Sequence, residues 1–249
     1  MADAAWVPSR ATVRPVDSQT ARHTALVRLT HWITTICFLA LLISGAEIVI
    51  SHPRFYWGET GNVNTRPWFQ LPIPSSRKLV NTGYGYVLPD QNGWSRALHF
   101  QTAWLLVFTG LVYGGWGLVS QHFRKNLLPA DSPGKLASAV RKYLKPARRD
   151  PTEAWSYNAL QKLTYLAVIF VLFPLAIWTG LAMSPAFVSA FPAAVDSLGG
   201  HQSARTLHFF VSVALLLFLV IHVAMVWLAG FTTRVGAMIT GRVRNQEHS

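Results

Sequence analysis

Nine histidines occur in this chain of 249 residues, and four of them lie within long apolar runs. These four are His31, His99, His208 and His222. An ionisable side chain inside a membrane-length apolar segment is costly and by default marks a functional site. Neutral imidazole is a common metal ligand, and haem iron can be held by histidine at its axial positions. We therefore treat the four histidines as candidates for redox chemistry and ask which elements must position them.

The composition is that of an integral membrane protein. Charged residues make up 13% of the chain and hydrophobic residues 51%, whereas a typical globular protein has about 25% charged residues. Cys37 is the single cysteine, which excludes an internal disulfide, a Cys-ligated iron–sulfur cluster and covalent haem attachment through paired cysteines. A redox centre in this chain must therefore be held by histidine.

Four runs of about twenty apolar residues are each long enough to cross the membrane as a helix. This pattern predicts an all-α fold, an integral membrane four-helix bundle occupying residues 23–233. Residues 1–22 are predicted to form a flexible cytoplasmic arm and residues 234–249 a cytoplasmic tail. The predicted spans are residues 29–50, 97–121, 163–183 and 206–230, joined by an outer loop at 51–96 and a cytoplasmic loop at 122–162.

The distribution of basic residues predicts the orientation. Sixteen of the 22 lysines and arginines fall on the side of the bundle that holds both termini, and six fall on the other side. Basic residues near helix ends stay preferentially in the cytoplasm, so both termini are expected there, in a multi-pass membrane protein. The net charge of +12 then reflects topology and contact with lipid headgroups rather than binding to nucleic acid.

Helix geometry and this topology together pair the histidines. His208 and His222 are fourteen residues apart, which places them within about 40° of the same helix face and about 21 Å apart along the axis. Because the first helix enters from the cytoplasm and the second from outside, His99 should meet His208 near the outer face. His31 should meet His222 near the inner face. Two facing imidazoles at each depth predict two b-type haems, and the iron of each haem would be held by the two histidines of one pair.

Arginines and glycines lie where haem binding would use them. Arg28, Arg96 and Arg205 each precede one of the histidines by three residues, so they share its face and could reach a haem propionate. Gly45 and Gly110 lie at the predicted outer and inner levels and would let a flat ring approach the backbone. The alternatives are interfacial snorkelling for each arginine and plain helix packing for the glycines.

Three segments carry a family resemblance: Arg28–Trp32, Arg96–Phe100 and Leu207–His208 with the later His222. They resemble the four-helix di-haem cytochrome b subunits of bacterial respiratory hydrogenases and formate dehydrogenases, over most of residues 22–230. The resemblance implies the same histidine pairing and a location in the bacterial inner (cytoplasmic) membrane. Residues 157–162 are similar to the quinone-pocket segment of that family, with Leu160 in place of its glycine. This implies that Asn158 and Gln161 bind a quinone.

The sequence thus predicts a di-haem cytochrome that transfers electrons across the membrane between a redox partner subunit and the quinone pool. The partner is expected to be extracytoplasmic. The resemblance implies that it is of the molybdoenzyme or hydrogenase type and that the quinone is ubiquinone or menaquinone. No nucleophile–base pair or phosphate-binding loop is visible, so substrate chemistry is expected on another polypeptide. The alternatives are a stand-alone oxidoreductase that passes electrons from superoxide to quinone, and a histidine-containing proton or metal transporter.

Overall fold

A computed structural model describes residues 24–62, 64–73, 92–127, 163–228 and 230–241. The predicted arm, Asn158, Gln161 and most of the cytoplasmic loop lie outside these residues. The described α-helices are α1 (Ala25–Ser51), α2 (Asn92–Val119), α3 (Leu163–Leu181), α4 (Pro185–Ala190), α5 (Ala193–Asp196), α6 (His201–Leu228) and α7 (Phe231–Thr240). A short π-helix, Phe123–Leu127, follows α2.

Four of these helices, α1, α2, α3 and α6, are long and apolar enough to cross a membrane. The predicted all-α membrane fold is therefore confirmed. Helix α1 packs along α2, and α3 packs along α6. Val168, Val211 and Leu215 form a buried cluster between α3 and α6, and Phe38 of α1 packs against it. Large apolar side chains on the outward faces remain exposed, as expected of surfaces that contact lipid.

Three of the long helices begin about one turn before the predicted spans. Helices α1, α2 and α6 start at Ala25, Asn92 and His201. The apolar runs stop at arginine, but arginine is a good helix former and can reach the interface with its long side chain. The arginines that precede the histidines therefore lie inside the first turns of the helices.

Helix α3 contains a π-helical segment, Val168–Leu172, directly before Phe173 and Pro174. Proline has no N–H to donate to the preceding turn, and a wider turn is one way to accommodate it. The extra residue rotates the remainder of α3 relative to its first half. This rotation helps to decide which side chains of residues 173–181 face α6.

The segment between α1 and α2 folds over the end of α6. Arg54–Phe55 and Phe69–Gln70 form a small antiparallel sheet. The buried Thr206 hydroxyl donates to the Tyr56 carbonyl at 2.7 Å, and the Gly58 N–H donates to the Ser203 hydroxyl at 2.8 Å. These bonds attach the described part of the predicted outer loop to the bundle.

Close backbone contact explains one glycine of this region. Gly200 has a φ of +111°, and a Cβ there would lie 2.5 Å from the Gly58 carbonyl carbon. A side chain would therefore be both strained and blocked, so glycine is required where the loop crosses the start of α6.

Arg205 is the charged connection between α6 and the loop. Its Nη2 donates to the His52 carbonyl at 2.6 Å, and its guanidinium carbon lies 5.2 Å from the centre of the Phe55 ring. Because a hydrogen bond to a charged group contributes about 1.5–3 kcal/mol, Arg205→Ala should lower the melting temperature in detergent by several degrees. Tryptophan fluorescence during heating measures this. The control is Arg66→Ala, at an exposed arginine of the same loop, and an equal loss there would contradict the role of Arg205.

Helix α7 returns to α1 after a turn at Gly230, whose φ is +92°. Arg28 Nη1 donates to the Ile239 carbonyl at 2.7 Å, and Trp32 Nε1 donates to the Met238 carbonyl at 3.3 Å. The guanidinium thus lies at the C-terminal end of α7, where carbonyl groups lack helical partners. Helix α7 ends at Thr240, so its last residues belong to the predicted tail 234–249.

Candidate functional site

The structure brings the four histidines together in two pairs. We call His99 and His208 the loop-end pair, because they lie at the end of the bundle that carries residues 52–73. We call His31 and His222 the terminal-end pair, because they lie near α7. The ring centres are 6.2 Å apart in the loop-end pair and 6.5 Å apart in the terminal-end pair. These are the partners expected from topology.

Both separations suit two imidazoles that share one metal ion. A metal–imidazole bond is about 2.0–2.1 Å, and a ring nitrogen lies about 1.1 Å from the ring centre, so two ligands in line have centres about 6.3 Å apart. The angles between ring planes are 68° in the loop-end pair and 52° in the terminal-end pair. Direct stacking is therefore not what holds the rings, and their ring-centre distances match the spacing expected of two imidazoles bound to one metal.

The hydrogen bonds of His208 assign its tautomer. His208 Nδ1 lies 3.0 Å from the Ala176 carbonyl oxygen and 3.0 Å from Thr179 Oγ1. A carbonyl can only accept, so Nδ1 must carry the proton. In the neutral ring, Nε2 then keeps its lone pair and can bind a metal.

The same assignment follows for His99 from a different helix. Its Nδ1 lies 3.0 Å from Ser44 Oγ, and Ser44 already donates its hydroxyl proton to the Ala40 carbonyl at 2.7 Å. Ser44 can then only accept from the imidazole, which places the proton on Nδ1. Both imidazoles of the loop-end pair are thus prepared to ligate through Nε2.

A glycine adjoins each loop-end imidazole. A Cβ at Gly45 would lie 3.5 Å from His99 Cε1, and one at Gly180 would lie 3.4 Å from His208 Cε1. Gly45 therefore lies at the level expected for it, whereas a Cβ at Gly110 would meet nothing within 4 Å. A role of either Gly45 or Gly110 in binding haem stays a prediction.

Sequence reasoning missed three contributors, Ser44, Thr179 and Gly180. A signal for them exists in the repeated dipeptides Ser44–Gly45 and Thr179–Gly180. In both, the hydroxyl residue contacts Nδ1 and the following glycine adjoins Cε1 of the same imidazole.

Aromatic rings surround the terminal-end pair. Trp32 lies edge-on to His31 with ring centres 5.6 Å apart, and Phe218 stacks on His222 at 5.5 Å. Tyr165 of α3 lies 6.2 Å from His222. These rings restrict the orientation of both imidazoles and help to keep water from them.

The three predicted propionate partners differ in their surroundings. Arg28 bonds to the end of α7, and Arg205 bonds to the backbone at His52. Arg96 is exposed at the start of α2. The contacts of Arg28 and Arg205 were not foreseen, because they depend on segments distant in the sequence. Contact of any of the three with a haem propionate stays a prediction.

The number of ligands distinguishes haem from other metal centres. In the part of the chain that the structure describes, no group of three or more histidine, cysteine or acidic side chains could hold a metal ion. A protein zinc site uses three or four protein ligands. Haem iron receives four nitrogens from its porphyrin and needs only two from the protein, which is what each pair supplies.

Comparison with known proteins agrees with this geometry. Residues 22–241 match the family model described as prokaryotic cytochrome b561. The chain belongs to that family. A relative from Azospira oryzae, named putative protein-methionine-sulfoxide reductase subunit YedZ1, is 30% identical over 226 residues. The match covers 89% of this chain and 96% of the relative. No solved structure gives a significant match.

Membership in the prokaryotic cytochrome b561 family confirms several expectations. The protein is a membrane haem protein of the cytochrome b type that takes part in electron transfer, and its family binds b-type haem. It is a multi-pass bacterial membrane protein. The number of haems, the quinone and the partner are the subject of the proposal that follows.

Proposed function

We propose that this cytochrome b561 holds two b-type haems and carries electrons across the membrane between the quinone pool and a catalytic partner subunit. The observation that supports it is the presence of two imidazole pairs with separations suited to a shared iron. A single pair would serve one side of the membrane. His208 and His222 lie on the same helix, about 21 Å apart along its axis, so the two pairs extend across much of the bilayer.

Different residues would ligate the haem iron, orient the ligands and exclude water from the proposed sites. When bound, haem supplies a one-electron iron couple. His99, His208, His31 and His222 are the proposed ligands, and Ser44 and Thr179 orient the first two through Nδ1. Aromatic rings beside His31 and His222 exclude water from these two imidazoles, the terminal-end pair. The chain thereby fixes the positions of both centres and leaves the substrate chemistry to another subunit.

The proposed partner binds at the loop end. The name of the Azospira relative describes a subunit of a protein-methionine-sulfoxide reductase. We therefore propose that the partner is a catalytic reductase outside the cytoplasm rather than a hydrogenase. Reduction of a sulfoxide to a thioether and water consumes two electrons and two protons. Oxidation of a quinol to a quinone releases the same number, so electrons would run from the terminal end to the loop end.

Trp57 and Trp68 are on the described loop-end surface, with 54% and 62% of their surfaces exposed. Exposed tryptophans are enriched where proteins meet partners, which supports placing the subunit there. The proposed quinone ligands Asn158 and Gln161 precede α3, whose first residues lie at the other end of the bundle. Their role stays a prediction that follows from the resemblance.

Haem stoichiometry tests this function. We expect the purified protein to contain two haem b molecules per chain and to show reduced b-type absorption bands after addition of a quinol. One haem per chain would contradict the di-haem proposal, and a colourless protein made with ample haem would contradict the whole function. Reduction by superoxide with no response to quinol would instead favour the stand-alone oxidoreductase.

A further inference from the structure

Two buried hydroxyl groups contact the loop-end imidazoles from different helices. Ser44 of α1 lies 3.0 Å from His99 Nδ1, and Thr179 of α3 lies 3.0 Å from His208 Nδ1. Both residues have 0% of their surface exposed. Because water does not reach these groups, each hydroxyl must find its hydrogen-bond partners within the protein.

The proton of each hydroxyl already takes part in a hydrogen bond to a carbonyl of its own helix. Ser44 donates to the Ala40 carbonyl and Thr179 to the Leu175 carbonyl, each at 2.7 Å. If either hydroxyl donated to imidazole instead, it would lose this bond, and the neutral ring would carry its proton on Nε2. A protonated Nε2 cannot bind iron. The helix carbonyls thus set the direction of each hydroxyl. The Ser44 hydroxyl then sets the tautomer of His99, and the Thr179 hydroxyl acts together with the Ala176 carbonyl to set that of His208.

We propose that Ser44 and Thr179 are positioning residues that hold both loop-end imidazoles as Nδ1–H tautomers and lower the reduction potential of the haem bound there. This inference rests on the proposed function. An Nδ1–H group that donates a hydrogen bond leaves more electron density on the ligating nitrogen, which favours the oxidised iron. The glycine that follows each hydroxyl residue leaves room beside the same ring, so the dipeptide acts as one unit.

Removal of the two hydroxyls should change the reduction potential by different amounts. His208 keeps the Ala176 carbonyl as an acceptor when the Thr179 hydroxyl is removed. For His99, Ser44 is the acceptor that the described part of the chain provides. Removal of the Ser44 hydroxyl should therefore have the larger effect.

The experiment is redox titration of the full-length protein in detergent, with electron paramagnetic resonance of the oxidised haems as a second measurement. For Ser44→Ala, we expect the oxidised-to-reduced equilibrium of one haem to shift about three- to tenfold toward reduction. For a one-electron couple this is a rise of about 28–59 mV. Thr179→Val should produce a smaller rise in the same haem, and Thr179→Ser should titrate like the unaltered protein.

Thr109→Val is the matched control. Thr109 is also buried, precedes a glycine and donates to the carbonyl four residues before it, Leu105, at 2.7 Å. The substitution removes a hydroxyl in the same way, but among the described residues no imidazole contacts Thr109. We expect both potentials and both resonance signals to be unchanged.

Each outcome decides the inference. The inference is overturned if both Ser44→Ala and Thr179→Val bind two haems with unchanged potentials and resonance signals. The hydroxyls would then contribute only to helix packing. If Ser44→Ala does not fold, the comparison of Thr179→Val with Thr179→Ser decides, since equal potentials overturn the inference and a rise only in the valine variant supports it. If the unaltered protein bound no haem, the proposed function itself would be overturned. Failure of the proposed function can therefore be told apart from failure of this inference alone.

Discussion

Replacement of either His99 or His208 by alanine should remove one of the two proposed haems, and the same one in both cases. The ring centres of this pair are 6.2 Å apart, so the loss of either imidazole would leave the proposed iron with one protein ligand. His31→Ala and His222→Ala should each remove the other haem. Haem content per chain should fall from two to one in all four variants, as measured by extraction of haem and quantification of the protein.

Potentials identify which haem is lost. The variants of the loop-end pair should retain the same potential as one another, and the variants of the terminal-end pair should retain the other. His201→Ala is the matched control, since His201 starts the same helix as His208 and should leave both haems in place. If His31→Ala and His208→Ala instead lost the same haem, the assignment of pairs to cofactors would be wrong.

The pairing of histidines was accessible from the sequence because it depends on two quantities that the sequence contains. Helical rise places His208 and His222 at different depths, and the alternation of helix directions decides which residue each one meets. Neither step needs knowledge of the detailed packing. The structure has the expected partners at 6.2 and 6.5 Å.

The contacts of the arginines were not accessible in the same way. Sequence spacing placed Arg205 one turn from His208. Its bond to the His52 carbonyl joins residues 153 positions apart and depends on how the loop folds over the start of α6. Arg28 likewise meets Ile239 across 211 residues. Periodicity places a residue on a face of its helix, whereas a tertiary partner depends on the path of the chain between them.

The hydroxyl contacts were missed for a different reason. Serine and threonine are common in membrane helices, where they often bond to the carbonyl four residues earlier, so Ser44 and Thr179 carried no signal on their own. Their function becomes visible when the neighbouring imidazole is placed. The serine–glycine and threonine–glycine dipeptides are not specific on their own, since Thr109–Gly110 has the same pattern. They indicate this contact only where an imidazole of a neighbouring helix lies beside them.

Replacing Gly45 by isoleucine should remove the proposed loop-end haem while the proposed terminal-end haem stays. A Cβ at this position would lie 3.5 Å from His99 Cε1, which is ordinary van der Waals contact. Gly45→Ala should therefore keep both haems. Isoleucine adds branches beyond Cβ, and these must occupy the space of the His99 ring or of a cofactor bound to it. Gly45→Ile should consequently reduce the haem content from two to one per chain.

The control for Gly45→Ile is the same substitution at Gly115 of α2, which is exposed and where a Cβ would meet nothing within 4 Å. Both changes add an equal apolar volume to a membrane helix, so they separate crowding of the site from a general effect on helix packing. Haem quantification and redox titration give the result. If Gly45→Ile bound two haems with unchanged potentials, the glycine would serve only the contact between α1 and α2, and the space beside His99 would have no part in cofactor binding.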